Sequence, residues 1–337
     1  MPPDTGAMVD FAAIEAAARR LAGITRRTPL LAGTPLDELT GGRVLLKLES
    51  LQLTGSFKIR GAWNRLAQLD PAERRAGVVA FSSGNHAQGV AAAARALDIP
   101  ATIVMPADAP QVKLAGTRAL GANIVTYDRH SEDREAIAMQ LAARRGATLV
   151  PSYDDPAIIA GQGTVGLELV EQAGELGLAP DLVLLACSGG GLASGVALAT
   201  RALLPACELN CVEPAGFDDT RRSLLAGERL ANAPGGQSLC DALLAPAPGR
   251  LTFPLLQRLL AGGLAVSDDE VRHAMAWAFR HLKLVIEPGG VVALAALLAG
   301  RVLARGRTVA LVISGGNVDA GLFSALLQAP AGGGAVQ

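Results

Sequence analysis

Apolar positions along this chain come in two rhythms. Short runs that are apolar at nearly every position, such as 182–186 (LVLLA), alternate with longer Ala/Leu/Arg stretches whose apolar residues recur at helical spacing. A run without a period of two is what a strand buried on both faces requires. Strands are thus predicted at 44–48, 78–81, 102–105, 123–126, 148–150, 182–186, 209–212 and 308–313. Helices are predicted from a cap at Asp10 to 21, and over 61–69, 87–97, 112–120, 131–145, 163–176, 192–204, 268–282 and 290–303. Strand–helix alternation of this kind predicts an α/β fold with helices packed on parallel sheet. The first residues, to about Val9, and the Gly/Ala/Pro-rich tail from Ala329 are expected to lie outside the packed structure.

Composition narrows the picture. Half of the 337 residues are hydrophobic but only 3% are aromatic, so the core must be built mainly from Ala, Val and Leu. A formal charge of −1 without a basic stripe excludes a nucleic-acid binder. The opening MPPDTGAMVD has no basic segment leading into an apolar one, and the most apolar stretch, near 291–300, is far short of the roughly 20 residues of a membrane span. A soluble cytoplasmic protein, with neither membrane nor nucleic acid as partner, is expected. Cys207 and Cys211 are spaced CxxxC with no second pair to complete a zinc set, so the four cysteines read as small buried hydrophobes.

Four segments could carry chemistry. Lysine occurs only four times among 30 basic residues, and arginine cannot replace it as an amine nucleophile. Lys58 follows Phe57 in TGSFKIRGA, where a Gly-bearing turn meets a helix; partial burial there would lower an amine's pKa. A surface lysine is the alternative. The loop Ser188-Gly189-Gly190-Gly191-Leu192 follows a predicted strand and opens a helix, a geometry that aims backbone N–H groups at a phosphate; a tight turn holding nothing is the alternative. GxxxxGK[ST] is absent and GxGxxG is incomplete, yet Glu213 about 20 residues on keeps a nicotinamide dinucleotide in play. Ser82-Ser83-Gly84-Asn85-His86 offers hydroxyls and helix-start amides suited to a carboxylate, and Asn85 an amide suited to a phenolic oxygen. Ser314, in SGGNVD after the last strand, could bond a heterocyclic nitrogen without charging it.

Taken in order, TGSFKIRGA, SSGNHAQG, the Ser/Gly loop and SGGNVD resemble the serine/threonine dehydratase and serine racemase family of fold-type II pyridoxal 5′-phosphate (PLP) enzymes, over about residues 20–320. The resemblance implies a tryptophan synthase β-like architecture. A small domain, 80–154, would be inserted in a large one formed by 1–79 and 155–337, with PLP in the cleft. It implies Lys58 as the Schiff-base lysine, Phe57 beside the ring, Asn85 on the ring oxygen, Ser188, Gly189, Gly190, Gly191 and Leu192 around the phosphate, and Ser314 on the pyridine nitrogen. Ser82, Ser83, Gly84, Asn85 and His86 would hold the substrate carboxylate, and Ser83 would be the second acid/base of racemase members. Glu213, Asp219 and the carbonyl of Phe217 match the family's divalent-cation site, where oxygen ligands suit Mg²⁺ or Ca²⁺. The implied reaction is loss of water and ammonia from a small hydroxy amino acid, L-threonine or L-serine, by a homodimer. β-Hydroxyaspartate or phenylserine dehydration and serine racemisation are the alternatives within the family. An NAD(P) oxidoreductase and a non-catalytic phospholigand-binding module are the alternatives outside it.

Overall fold

Two sheets organise the described residues, which in this computed structural model are 9–82, 84–109, 111–128 and 131–328 (111 and 112 by backbone only). The larger sheet has the order β1 (Leu30–Leu31), β2 (Arg43–Leu48), β10 (Thr308–Ile313), β7 (Leu182–Ala186), β8 (Glu208–Pro214) and β9 (Gly262–Val266). Only β1 runs antiparallel to its neighbour. The smaller sheet, β5 (Asn123–Tyr127), β4 (Ala101–Pro106), β3 (Val78–Phe81) and β6 (Thr148–Leu149), is wholly parallel and falls in sequence between β2 and β7. This is the expected α/β class. Every residue of β7, and all of β10 after Thr308, is buried, which is why those runs show no alternation.

Several boundaries differ from expectation. Strand β9 has the sequence GGLAV, weak in strand propensity, and owes its state to pairing with β8. The helix expected over 61–69 spans Lys58–Leu66, so Lys58 opens it rather than preceding it. The helix expected from 163 starts at Pro156, because Asp155 caps Ala157 and Ile158 through its side chain and a proline fits the first turn. Gly161, Gly163 and Gly166, poor helix formers, are where neighbouring helices touch it. A Cβ on Gly161 would stand 2.6 Å from the Cα of Gly61, and one on Gly195 would stand 2.8 Å from the Cα of Gly163. The helix Pro156–Glu175 therefore meets both Lys58–Leu66 and Gly191–Leu203 backbone to backbone. The expected helix 268–282 continues past Trp277 as a π turn, Ala278–Leu282. The expected helix over 290–303 shortens to Val292–Leu298.

The expectations for residues 1–8 and 329–337 lie outside the described residues. All four cysteines are buried and free. Among the described residues, no helix is long and apolar enough to cross a membrane.

Candidate active site

Each motif follows the carboxyl end of a parallel strand, where α/β sheets leave a crevice: Ser82 after β3, Ser188 after β7 and Ser314 after β10. Lys58 reaches this crevice because its turn is stitched to the last strand. Ser56 bridges Gly315, and Phe57 N donates to Ser314 O at 3.2 Å. From the other sheet, the helix Asn85–Ala96 comes so close that a Cβ on Gly89 would stand 3.0 Å from the carbonyl carbon of Lys58. Lys58 Nζ donates to Ser152 O at 2.9 Å and lies 5.2 Å from the Phe57 ring centroid. Among the described residues no carboxylate lies within ion-pair distance of it. Desolvation pulls its pKa down to about 8, opposed in part by Glu287.

Asn85 is held from two sides. Its Nδ2 donates to Glu287 Oε1 at 2.6 Å, and its Oδ1 accepts from Asn317 Nδ2 at 2.8 Å. One N–H of the amide is left to donate to a ligand. Glu287 is 4% exposed, and burial pushes its pKa up to about 8. Its carboxylate lies against Gly315, where a Cβ would collide with Oε1. His86 Nε2 faces Val150 O at 3.0 Å; a carbonyl only accepts, so Nε2 carries the proton. Desolvation, then Lys58, pull the His86 pKa down to about 3, which keeps the ring neutral. Ser82 Oγ accepts from Gly84 N at 3.3 Å. Ser83 lies outside the described residues.

The loop 188–192 turns through Gly190, at φ +94°, into the helix Gly191–Leu203, whose start has no side-chain cap. Its first amides are therefore free of acceptors within the helix. A Cβ on Gly189 would collide with the Tyr153 ring, and one on Gly191 would stand 2.9 Å from the Tyr153 Cα. Tyr153 thus lies along the loop, one residue after the carbonyl that holds Lys58. Behind the loop, Thr220 Oγ1 donates to Ser188 O at 3.4 Å. Both Glu213 oxygens accept backbone N–H groups, from Thr220 at 3.1 Å and Arg221 at 2.8 Å. Asp219 Oδ1 accepts from Asn232 Nδ2 at 2.5 Å, while its buried Oδ2 has no partner. Burial pushes the Asp219 pKa up to about 6. Among the described residues no group of three His, Cys, Asp or Glu side chains could hold a metal. Phe217 ends a short 3₁₀ turn, Ala215–Phe217, between these acids.

Lys58, Phe57, Asn85 and Ser314 are thus brought together, with the 188–192 loop joined to them through residues 152–153. A model of pyridoxal-phosphate dependent enzymes matches residues 21–315, nearly the whole chain. The chain belongs to that family. An L-threo-3-hydroxyaspartate ammonia-lyase of Pseudomonas sp is 47% identical over 312 residues, covering 93% of this chain and 96% of the relative. The Saccharomyces cerevisiae enzyme of the same name is 40% identical over 313 residues, covering 93% and 94%. The structure of maize serine racemase superposes with a TM-score of 0.88 at 37% identity, covering 94% of this chain and 96% of that one. The two-sheet architecture is accordingly that of fold-type II pyridoxal-phosphate enzymes, and the NAD(P) and phospholigand-module readings lose their support.

The residues present fit the family's cofactor. An amine without a carboxylate partner, a Gly-rich helix start, a one-sided amide donor at Asn85 and a buried hydroxyl at Ser314 suit its aldehyde, phosphate, ring oxygen and ring nitrogen in turn. Sequence reasoning missed Glu287, Tyr153 and Asn317. Glu287 sits 202 positions from the asparagine it holds, beside a proline where an acid reads as surface. The Ser152 contact is made by a backbone carbonyl, which leaves no trace in residue type.

Proposed function

We propose that this chain is an ammonia-lyase that removes water and ammonia from a small L-β-hydroxy amino acid, with L-threo-3-hydroxyaspartate ahead of L-threonine and L-serine. The observation that carries the reaction class is the half-buried Lys58 amine at a helix start, which among the described residues has no acid at ion-pair distance and whose pKa desolvation pulls down to about 8. Two relatives named for hydroxyaspartate, at 47% and 40% identity, favour that substrate.

Pyridoxal phosphate, when bound, supplies an electron sink for the substrate Cα–H bond. The chain supplies the rest. Lys58 would hold the cofactor, and its Nζ would take the Cα proton; a pKa near 8 leaves part of the amine unprotonated near neutral pH. The amides and hydroxyls of 82–86, Ser83 among them, hold the substrate carboxylate at the start of the helix Asn85–Ala96. Asn85 Nδ2 would donate to the ring oxygen, the amides of 188–192 would hold the phosphate, Phe57 would flank the ring, and the neutral Ser314 hydroxyl would face the ring nitrogen without protonating it. A neutral His86 binds rather than delivers protons.

Glu213, Asp219 and the Phe217 carbonyl are proposed as ligands of Mg²⁺ or Ca²⁺, supported by the unpartnered buried Asp219 Oδ2. A cytoplasmic homodimer, with residues 80–154 as its small domain, completes the proposal. The deciding experiment gives the purified protein L-threo-3-hydroxyaspartate, L-threonine and L-serine and follows 2-oxo acid release. No release from any of them, or full release by Lys58→Ala, would overturn the reading. Racemisation is a second reading, supported by the maize serine racemase likeness. Chiral analysis of recovered serine measures it, and Ser83→Ala should lower racemisation far more than elimination.

A further inference from the structure

The loop 188–192 is steered from outside. Gly189 O accepts Thr252 Oγ1 at 2.6 Å and Gly249 N at 3.1 Å. In a trans peptide the carbonyl and the following N–H point opposite ways. Anchoring Gly189 O toward 249–252 therefore turns the Gly190 N–H to the other side, and keeps a carbonyl dipole from facing an anion held there. Thr252 is fully buried, and its own carbonyl accepts from Ser194 Oγ at 3.4 Å, in the helix that the loop opens.

The anchoring segment is itself held by one carboxylate. Asp154 Oδ2 accepts from Arg250 N at 2.9 Å, and Oδ1 accepts from Leu251 N at 2.8 Å and Thr252 N at 3.3 Å. Asp154 ends a three-residue strap in which Ser152 O takes the Lys58 amine and Tyr153 lies along Gly189 and Gly191.

We propose that Thr252 and Asp154 are positioning residues that set the direction of the phosphate-binding amides, Asp154 acting through the backbone of 250–252 that carries Thr252. This rests on 188–192 being the phosphate cradle, as assigned above. It makes phosphate recognition depend on residues that touch neither the phosphate nor the ring.

The test compares PLP with pyridoxal, which lacks the phosphate, in titrations of the cofactor-stripped full chain. Thr252→Val removes the hydroxyl at nearly constant shape; Thr252→Ser keeps it. Thr252→Val should weaken PLP binding about fivefold, the effect of one ordinary hydrogen bond, and leave pyridoxal binding unchanged. Thr252→Ser should bind both as the parent does. Asp154→Asn should reproduce the selective loss, and the double variant should lose less than the product of the two, since both act through one carbonyl. Equal weakening of PLP and pyridoxal, or unchanged PLP binding in Thr252→Val, would overturn the steering role, and strictly multiplicative losses would overturn the action of Asp154 through Thr252. If the parent chain binds pyridoxal as well as PLP, the cradle assignment itself fails, which is a different outcome from either.

Discussion

Replacing Arg60 by methionine should cost roughly 3–5 kcal/mol of folding stability, the usual effect of stranding one buried charge. Arg60 is fully buried two residues beyond Lys58. Its Nε and Nη2 donate to Glu49 at 2.8 Å each, and its Nη1 and Nη2 donate to Glu168 at 2.6 and 2.8 Å. The loss does not fall evenly. Glu168 keeps Lys47 Nζ at 2.6 Å, whereas Glu49, also fully buried, keeps only the Thr28 hydroxyl at 2.6 Å. The cluster holds two cations and two carboxylates, so the variant leaves one anion uncompensated, and it sits at Glu49. Removing that anion as well, in Arg60→Met/Glu49→Gln, should restore more than half of the loss. Urea unfolding of both variants, with the slope checked against the parent, measures this. A loss below about 1 kcal/mol in Arg60→Met, or a double variant less stable than the single one, would refute the reasoning.

Further outcomes are expected. In the cofactor-free chain, Glu287 and Lys58 should make opposite contributions to the pH dependence of stability, meeting near pH 8. Glu287, raised from 4.5 to about 8, contributes stability that is complete at low pH and lost as pH rises through that range, while Lys58, lowered from 10.5 to about 8, gives stability back as pH rises above 8. Thermal melts of the parent and of Glu287→Gln across pH 5–10 test the first: the difference between them should shift against the parent as pH rises toward 8 and level off above it, and a pH-independent difference would contradict it. Gly161→Val should lower stability by several kcal/mol, because its side chain must enter space held by the Gly61 Cα and the Arg60 carbonyl, 2.7 Å from a Cβ there; an unchanged melting temperature would contradict the close packing. Asp219→Asn should abolish any stabilisation by added Mg²⁺ or Ca²⁺ seen in the parent, and a shift that survives the substitution would place the cation elsewhere.

The central strands, the cap of the first helix and the order of the four motifs were legible because each is local. LVLLA and TVALVI state their burial outright, and Asp10 stands where its side chain accepts from Ala13 N at 2.9 Å. What stayed hidden depends on partners distant in sequence. Gly262–Val266 is a strand by virtue of β8, and Pro156–Glu175 overrides glycine's low helix propensity through packing. Glu287 acquires its setting from Asn85 and Gly315, and the Lys58 contact at Ser152 is a carbonyl that any residue type would provide.

Contact between bare backbones has a consequence for how such a site can change. The helix that starts at Lys58 and the helix that starts at Gly191 rest on opposite stretches of Pro156–Glu175, at Gly61 against Gly161 and at Gly195 against Gly163. At both crossings main chain meets main chain, with the Gln162 amide packed beside Gly61, so the span from amine to glycine loop is set largely by backbone and resists drift by ordinary substitution. Variation in what the crevice accepts must then enter from its other wall, through the loop after β3 and the segments around Glu287, where side chains still set the dimensions.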